Sequence, residues 1–211
     1  MKPQSKLIGG SAAAVILGAS ALMVANEGVV LRTYADPVWG ERVPTACVGE
    51  TGPHIRMGQT FTHEQCMQML GKRVELSWSR IERCLQRPVP VNVAVSLADL
   101  GYNVGEQAVC SSTLVRQINS GQPPAVYCEQ FMRWTFVGGR DCRDPKNNCR
   151  GIVVRRDHAR SLCLGKAPIP GQDNPRLDSP GPYRDLGNTG PRCTGNLCQQ
   201  TAPLPEPDED K

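Results

Sequence analysis

Aromatic side chains are scarce, with three Trp, four Tyr and three Phe among 211 residues. Base stacking is therefore poorly provided for, and no basic cluster is interleaved with aromatics, so nucleic acid is set aside as a partner. Histidine is rarer still, and His54, His63 and His158 are scattered. The spacings Cys142-x6-Cys149 and Cys193-x4-Cys198 lack the paired short steps of zinc modules, which leaves zinc as the lesser alternative for the cysteines. Residues 7–26 carry no charge, residues 1–46 carry no Cys, and no internal repeat of useful length is present.

The ten cysteines are a heavy and even load, which points to disulfides made in an oxidising compartment. Cys142 to Cys149 and Cys193 to Cys198 read as local loops. Cys47, Cys66, Cys84, Cys110, Cys128 and Cys163 would join distant elements, in pairs that spacing does not reveal. A thiol nucleophile at Cys47 is a further possibility with no other support. Formal charge is +4, and residues 27–165 hold 17 basic against 13 acidic side chains. Such a body is drawn toward anionic polymers, of which the bacterial wall is one. From Lys166 onward the character changes: half of the 18 prolines lie there, with Glu206, Asp208, Glu209 and Asp210 near the end. Residues 166–211 are expected to form a disordered tail.

At the other end, Lys2 and Lys6 precede the uncharged run of residues 7–26, the layout of an export signal. Twenty such residues just span a bilayer, but Gly9, Gly10, Ser11, Gly18 and Ser20 dilute the apolar character. A cleaved signal peptide would use Ala19-Ser20-Ala21; a permanent anchor would want more Leu, Ile and Phe.

The stretch Glu27 to Thr51 has the equipment to split an acetal. Two carboxylates, Glu27 and Asp36, flank a turn-rich segment that alternates like a twisted hairpin. One carboxylic acid can protonate a leaving oxygen while the other carboxylate activates water or attacks carbon. Glu41 and Glu50 are rival acids. Taken alone, a Glu-Gly pair is more often an ordinary helix end. Here, however, Glu27, Gly28, Leu31, Tyr34, Asp36, Gly40, Pro44, Thr45, Gly49 and Thr51 fall in register with a known pattern. They are followed in order by Tyr102-Asn103-Val104-Gly105, Ser112-Thr113-Leu114, Arg133-Trp134, Gly138-Gly139, and Gly151-Ile152 with Arg155-Arg156. The chain thus resembles the phage-type lysozymes, muramidase endolysins of glycoside hydrolase family 24, over roughly Ala25 to Leu164.

The resemblance implies a mainly α (α+β), two-lobed lysozyme-like fold with a small β hairpin in the N-terminal lobe. It also implies Glu27 as general acid, Asp36 as partner carboxylate in a reaction that inverts the anomeric carbon, and Thr45 as a hydroxyl that helps hold the attacking water. Tyr102, Asn103 and Thr113 would contact the glycan. No metal or organic cofactor is needed. Two departures stand out: the link Glu41-Arg42-Val43-Pro44 before Thr45 is longer than usual, and Glu50 stands where many members have His. A third reading of residues 7–26 follows from certain members, the signal-anchor-release endolysins, whose segment stays attached and later leaves the membrane. Uncleaved, it would form the helix that delivers Glu27.

The remaining elements read simply. Thr62-His63-Glu64-Gln65 is a capping-box pattern that opens a long helix with its stripe at Cys66, Leu70, Val74, Ile81 and Leu85, a spine between lobes ended by Pro88 and Pro90. Residues 91–101 read as a buried helix closed by Gly101, after which Tyr102-Asn103 makes a turn facing the cleft. Ser112 caps the next helix, Pro123-Pro124 opens another carrying Phe131 and Trp134, residues 136–150 form a charged loop, and Gly151 to Leu164 is a last helix whose Arg155-Arg156 pair reads as solvated charge, with binding of wall phosphate or carboxylate as the alternative.

The expectation is an exported lysozyme with residues 1–26 as releasable anchor, 27–165 as catalytic domain and 166–211 as tail. It would be a monomer, tethered to the inner membrane and then periplasmic, that hydrolyses the β-1,4 bond between N-acetylmuramic acid and N-acetylglucosamine in peptidoglycan. The rivals are a non-catalytic wall-binding or structural protein on the same fold and a disulfide-rich interaction module whose tail is the working part.

Overall fold

The computed structural model describes residues 7–36 and 40–171. Cys193, Cys198 and nearly all of the expected tail lie outside the described residues.

The uncharged N-terminal run is divided into a short strand and a helix. Leu7–Ile8 (β1) pairs in parallel with Val89–Pro90 (β4 in chain order), and Ala12–Glu27 forms helix α1. Ser11 starts that helix by accepting the amide of Ala14, and Gly28 stops it, because the chain there turns to φ 74° and donates its amide to the Val24 carbonyl. Val15, Ala19, Leu22 and Met23 are buried in the main core, whereas Leu17 on the outer face is 60% exposed. Among the described residues no helix is long and apolar enough to cross a membrane.

Val30–Asp36 (β2) and Gly40–Cys47 (β3) form the expected antiparallel hairpin. Its inner face packs with Ile55, Phe61 and the start of the next helix into a small cluster of its own. That helix, His63–Cys84 (α2), opens on the full capping box: Thr62 accepts the Gln65 amide and Gln65 reaches back to the Thr62 amide. Cys66 of α2 belongs to the hairpin cluster, while Leu70, Val74, Trp78 and Ile81 belong to the main core, so α2 bridges the two lobes as its stripe suggests. The second lobe continues with Val91–Val104 (α3), Glu106–Cys110 (α4), Thr113–Asn119 (α5), Pro124–Tyr127 (α6), a 3-10 turn over Cys128–Arg133, the two-residue strands Phe136–Val137 (β5) and Arg140–Asp141 (β6), and Arg150–Cys163 (α7).

Helix α3 does not close at Gly101. It runs on to Val104, so Tyr102 and Asn103 sit in its last turn rather than in a turn of the chain. A β-carbon on Gly101 would lie 2.5 Å from the Ile81 side chain, so this glycine serves a close crossing with α2 and not a helix end.

Four disulfides join the described elements: Cys47–Cys66, Cys84–Cys110, Cys128–Cys163 and Cys142–Cys149. The expected local loop at Cys142 is present, and Cys47 is bonded to Cys66, which removes it as a thiol nucleophile. Cys128–Cys163 fixes the end of α7. Just beyond it, Ala167 and Ile169, assigned by composition to the tail, pack against the main core. Ile169 and Val95 both approach α1 at Gly18, where a β-carbon would stand 2.7 Å from one and 3.0 Å from the other. Gly18→Leu is therefore expected to destabilise the fold by about 1–2 kcal/mol. Overpacking outweighs the helix-propensity gain of leaving Gly. A lower urea midpoint with unchanged slope is the measurement that checks it.

Candidate active site

Glu27 is the final residue of α1, and the hairpin begins three residues later, so the acid stands at the junction of helix and hairpin. Its side chain is 22% exposed, and its Oε1 accepts a hydrogen bond of 2.5 Å from Nη2 of Arg155, which is itself buried at 7%. Nη1 of the same guanidinium donates to Oδ1 of Asn103, and the Asn103 amide group donates 2.6 Å to the backbone carbonyl of Asp99, one turn earlier in α3. A single buried Arg from α7 therefore ties the end of α1 to the end of α3.

Arg155 and Arg156 are consequently not solvated. Both lie on the inner face of α7, with Ile152, Ala159 and Leu162. Burial lowers the Arg156 guanidinium to about 10, and the charge of Asp99 opposes this. The Nε of Arg156 donates to the Trp134 carbonyl at 3.3 Å, and Trp134 is half-buried against the core as expected.

On the hairpin, Asp36 ends β2 and is buried. Opposite it the ladder jumps: Ala35 faces Pro44 but Asp36 faces Gly40. The long link Glu41-Arg42-Val43 is thus taken up as a bulge, and Thr45 keeps its place opposite Tyr34. Thr45 is buried, and its hydroxyl donates 3.3 Å to the Val43 carbonyl, which leaves its oxygen able to accept. Tyr34 belongs to the motif, which assigns it no role. Its hydroxyl is pushed up to about 12 by burial and then by the charges of Asp36 and Glu27, which marks it as a neighbour of both acids.

The three expected glycan contacts fare differently. Tyr102 is buried, its hydroxyl donates to the Val48 carbonyl, and its ring lies under the guanidinium of Arg73 at 4.8 Å. Asn103 is buried and committed to Arg155. Neither offers a polar group to a cleft. Thr113 is half-buried at the start of α5 and accepts from Arg116 at 2.8 Å and from Arg133 at 3.5 Å. Glu50, the rival acid, is engaged with His54 at 3.2 Å and Arg73 at 3.5 Å.

An acid at the end of a main-core helix and a buried acid on the hairpin lobe, with one long helix bridging the two clusters, put this protein among the lysozyme-like glycoside hydrolases. Residues 24–159 match the family model described as Phage lysozyme. The chain belongs to that family, and it is a glycoside hydrolase of the lysozyme kind. The SAR-endolysin of Enterobacteria phage P21 is 34% identical over 138 residues, 65% of this chain and 77% of that protein. That of Enterobacteria phage PA-2 is 33% identical over 138 residues, 65% and 77% respectively. Among solved structures, an endolysin from Escherichia coli O157:H7 phage FAHEc1 superposes with a TM-score of 0.60 at 24% identity, covering 71% of this chain and 92% of that one. The active form of the P1 phage endolysin gives 0.59 at 17% identity, covering 74% and 94%. These last two likenesses concern the fold.

Proposed function

We propose that the protein is an endolysin that hydrolyses the β-1,4 bond between N-acetylmuramic acid and N-acetylglucosamine in peptidoglycan and so lyses a host cell. The observation that carries the reading is the placement of Glu27: a carboxyl at a helix end, fixed by a buried guanidinium, three residues before the hairpin that bears Asp36 and Thr45. In the proposed reaction Glu27 gives its proton to the glycosidic oxygen as the bond to the anomeric carbon breaks. A water held at the Thr45 hydroxyl attacks that carbon and passes its proton to Asp36. Thr113, with Arg116 and Arg133 on its hydroxyl, supports the glycan from the second lobe. Tyr102 and Asn103 support it indirectly, by fixing Val48 and Arg155.

Mass spectrometry of wall fragments tests this. Digestion is expected to release muropeptides ending in a hydrated, reducible muramic acid. Anhydro-muramic ends, reducing glucosamine ends, or binding without cleavage would each overturn it, the last in favour of the non-catalytic wall-binding alternative.

We also propose that residues 7–26 hold the chain on the inner membrane before release, and that the packed α1 is their released form in the periplasm. The absence of charge in that run, the basic residues before it and the relatives' designation support this reading. A segment that buries Val15, Leu22 and Met23 in the fold has the apolar side chains that lipid would also accept.

A further inference from the structure

Two arginines of the second lobe converge on one hydroxyl with no acid between them. Nη2 of Arg116, on α5, donates 2.8 Å to Oγ1 of Thr113, and Nη1 of Arg133, from the 3-10 turn, reaches the same oxygen at 3.5 Å and Oε1 of Gln130 at 3.4 Å. Both arginines are exposed, and among the described residues neither forms an ion pair. Two guanidinium groups held side by side repel each other, so the arrangement favours an anion that answers both. Its donors suit one. Because the Thr113 oxygen accepts from both guanidinium groups, only its proton is left to give, and that proton has no acceptor among the described residues. Each guanidinium also keeps further N–H groups free.

The cluster adjoins the acid site through the chain itself. Arg155 holds Glu27, its neighbour Arg156 holds the Trp134 carbonyl, and Arg133 directly precedes Trp134. A glycan strand offers hydroxyl and acetamido groups to such a surface, and none of these is charged. The anions of peptidoglycan are the carboxylates of the short peptide that the lactyl group of muramic acid carries. A carboxylate is planar and meets a guanidinium fork with two parallel N–H···O bonds, a geometry that a neutral amide does not reproduce. We propose that Arg116 and Arg133 are specificity-determining residues that bind a carboxylate of this peptide, so that strands with free peptide carboxyls are taken in preference to strands whose peptides are neutral. This rests on the reading of the protein as a muramidase with Thr113 beside the glycan.

Soluble, uncross-linked wall strands with their free amines acetylated provide the test, used as they are or after carbodiimide coupling of methylamine has turned their carboxyls into amides. For the wild-type protein, kcat/KM is expected to fall about tenfold on the amidated strands, since charge-assisted bonds are lost from an exposed and therefore screened site. The fall should lie in KM with kcat retained, because the peptide is gripped equally before and during bond cleavage. It should also shrink as salt is raised. The double variant Arg116→Gln/Arg133→Gln is expected to start about tenfold below wild type on untreated strands and to lose nothing further on amidated ones.

The wild-type comparison needs no variant to fold. Indifference of the wild-type protein to amidation would overturn the proposal while leaving the muramidase reading in place. An equal loss in wild type and double variant would assign the preference to the net positive charge of the whole body, and would overturn it too. Cleavage of neither kind of strand is a separate failure, which removes the muramidase reading and this inference with it.

Discussion

Glu27→Gln is expected to lower kcat/KM on peptidoglycan by roughly a thousandfold, equivalent to about 4 kcal/mol of transition-state stabilisation. The amide has the size of the acid and keeps an oxygen for the 2.5 Å bond from Arg155, so helix α1 should still end where it does and the fold should persist. What is lost is the proton. Without it the leaving sugar must depart as an alkoxide, and the second carboxylate has no departing group to work with. The reading is made on permeabilised cells by turbidity and on purified walls by new reducing ends, with circular dichroism confirming the folded state. Binding to walls should be retained. A variant that is folded and clears turbidity at the wild-type rate would remove Glu27 from the chemistry and leave Asp36, Glu41 or Glu50 to be tested in its place. Glu50 is the weakest of these, since His54 and Arg73 already hold its carboxylate.

What could be read from the chain was what depends on neighbours in sequence. The capping box at Thr62, the Ser112 cap and the hairpin between Glu27 and Thr51 are local arrangements, and each stands where it was expected. The errors come from partners distant in sequence. Gly101 reads as a helix stop because glycine usually is one, but its reason is the Ile81 side chain of another helix. That reading makes the last turn of α3 a turn of the chain, whereas Tyr102 and Asn103 lie within the helix and are buried.

Arg155 and Arg156 illustrate a signal that was present and not used. With Ile152, Ala159 and Leu162 they lie on the three- and four-residue spacing of one helical face, and that periodicity predicts burial. Two arginines on an apolar stripe require polar partners to answer them: Glu27 and Asn103 take Arg155, and the Trp134 carbonyl takes Arg156. The long-range disulfide pairs had no such signal: Cys84 meets Cys110 and Cys128 meets Cys163 only because α2, α4 and α7 come together.

Removing residues 1–26 is expected to abolish both the folded state and lysis. If the N-terminal run were only an export signal, the mature enzyme would begin near Glu27 and lose nothing. The fold argues otherwise. Val15, Leu22 and Met23 are at most 1% exposed in the main core, and burial of three such side chains is worth about 6 kcal/mol. That is the size of a whole domain's stability. Their removal would also uncover the faces of α2 and α3 on which α1 lies, and would leave Glu27 at a frayed terminus instead of the end of a helix. Thermal melts should show no cooperative transition for the truncated chain, and turbidity clearing should fall to background. Refolding from denaturant, with the disulfides allowed to re-form, would keep an export failure from being mistaken for instability. A truncated protein that refolds and lyses at full rate would show that α1 is dispensable, and with it the proposal that one segment serves first the membrane and then the catalytic core.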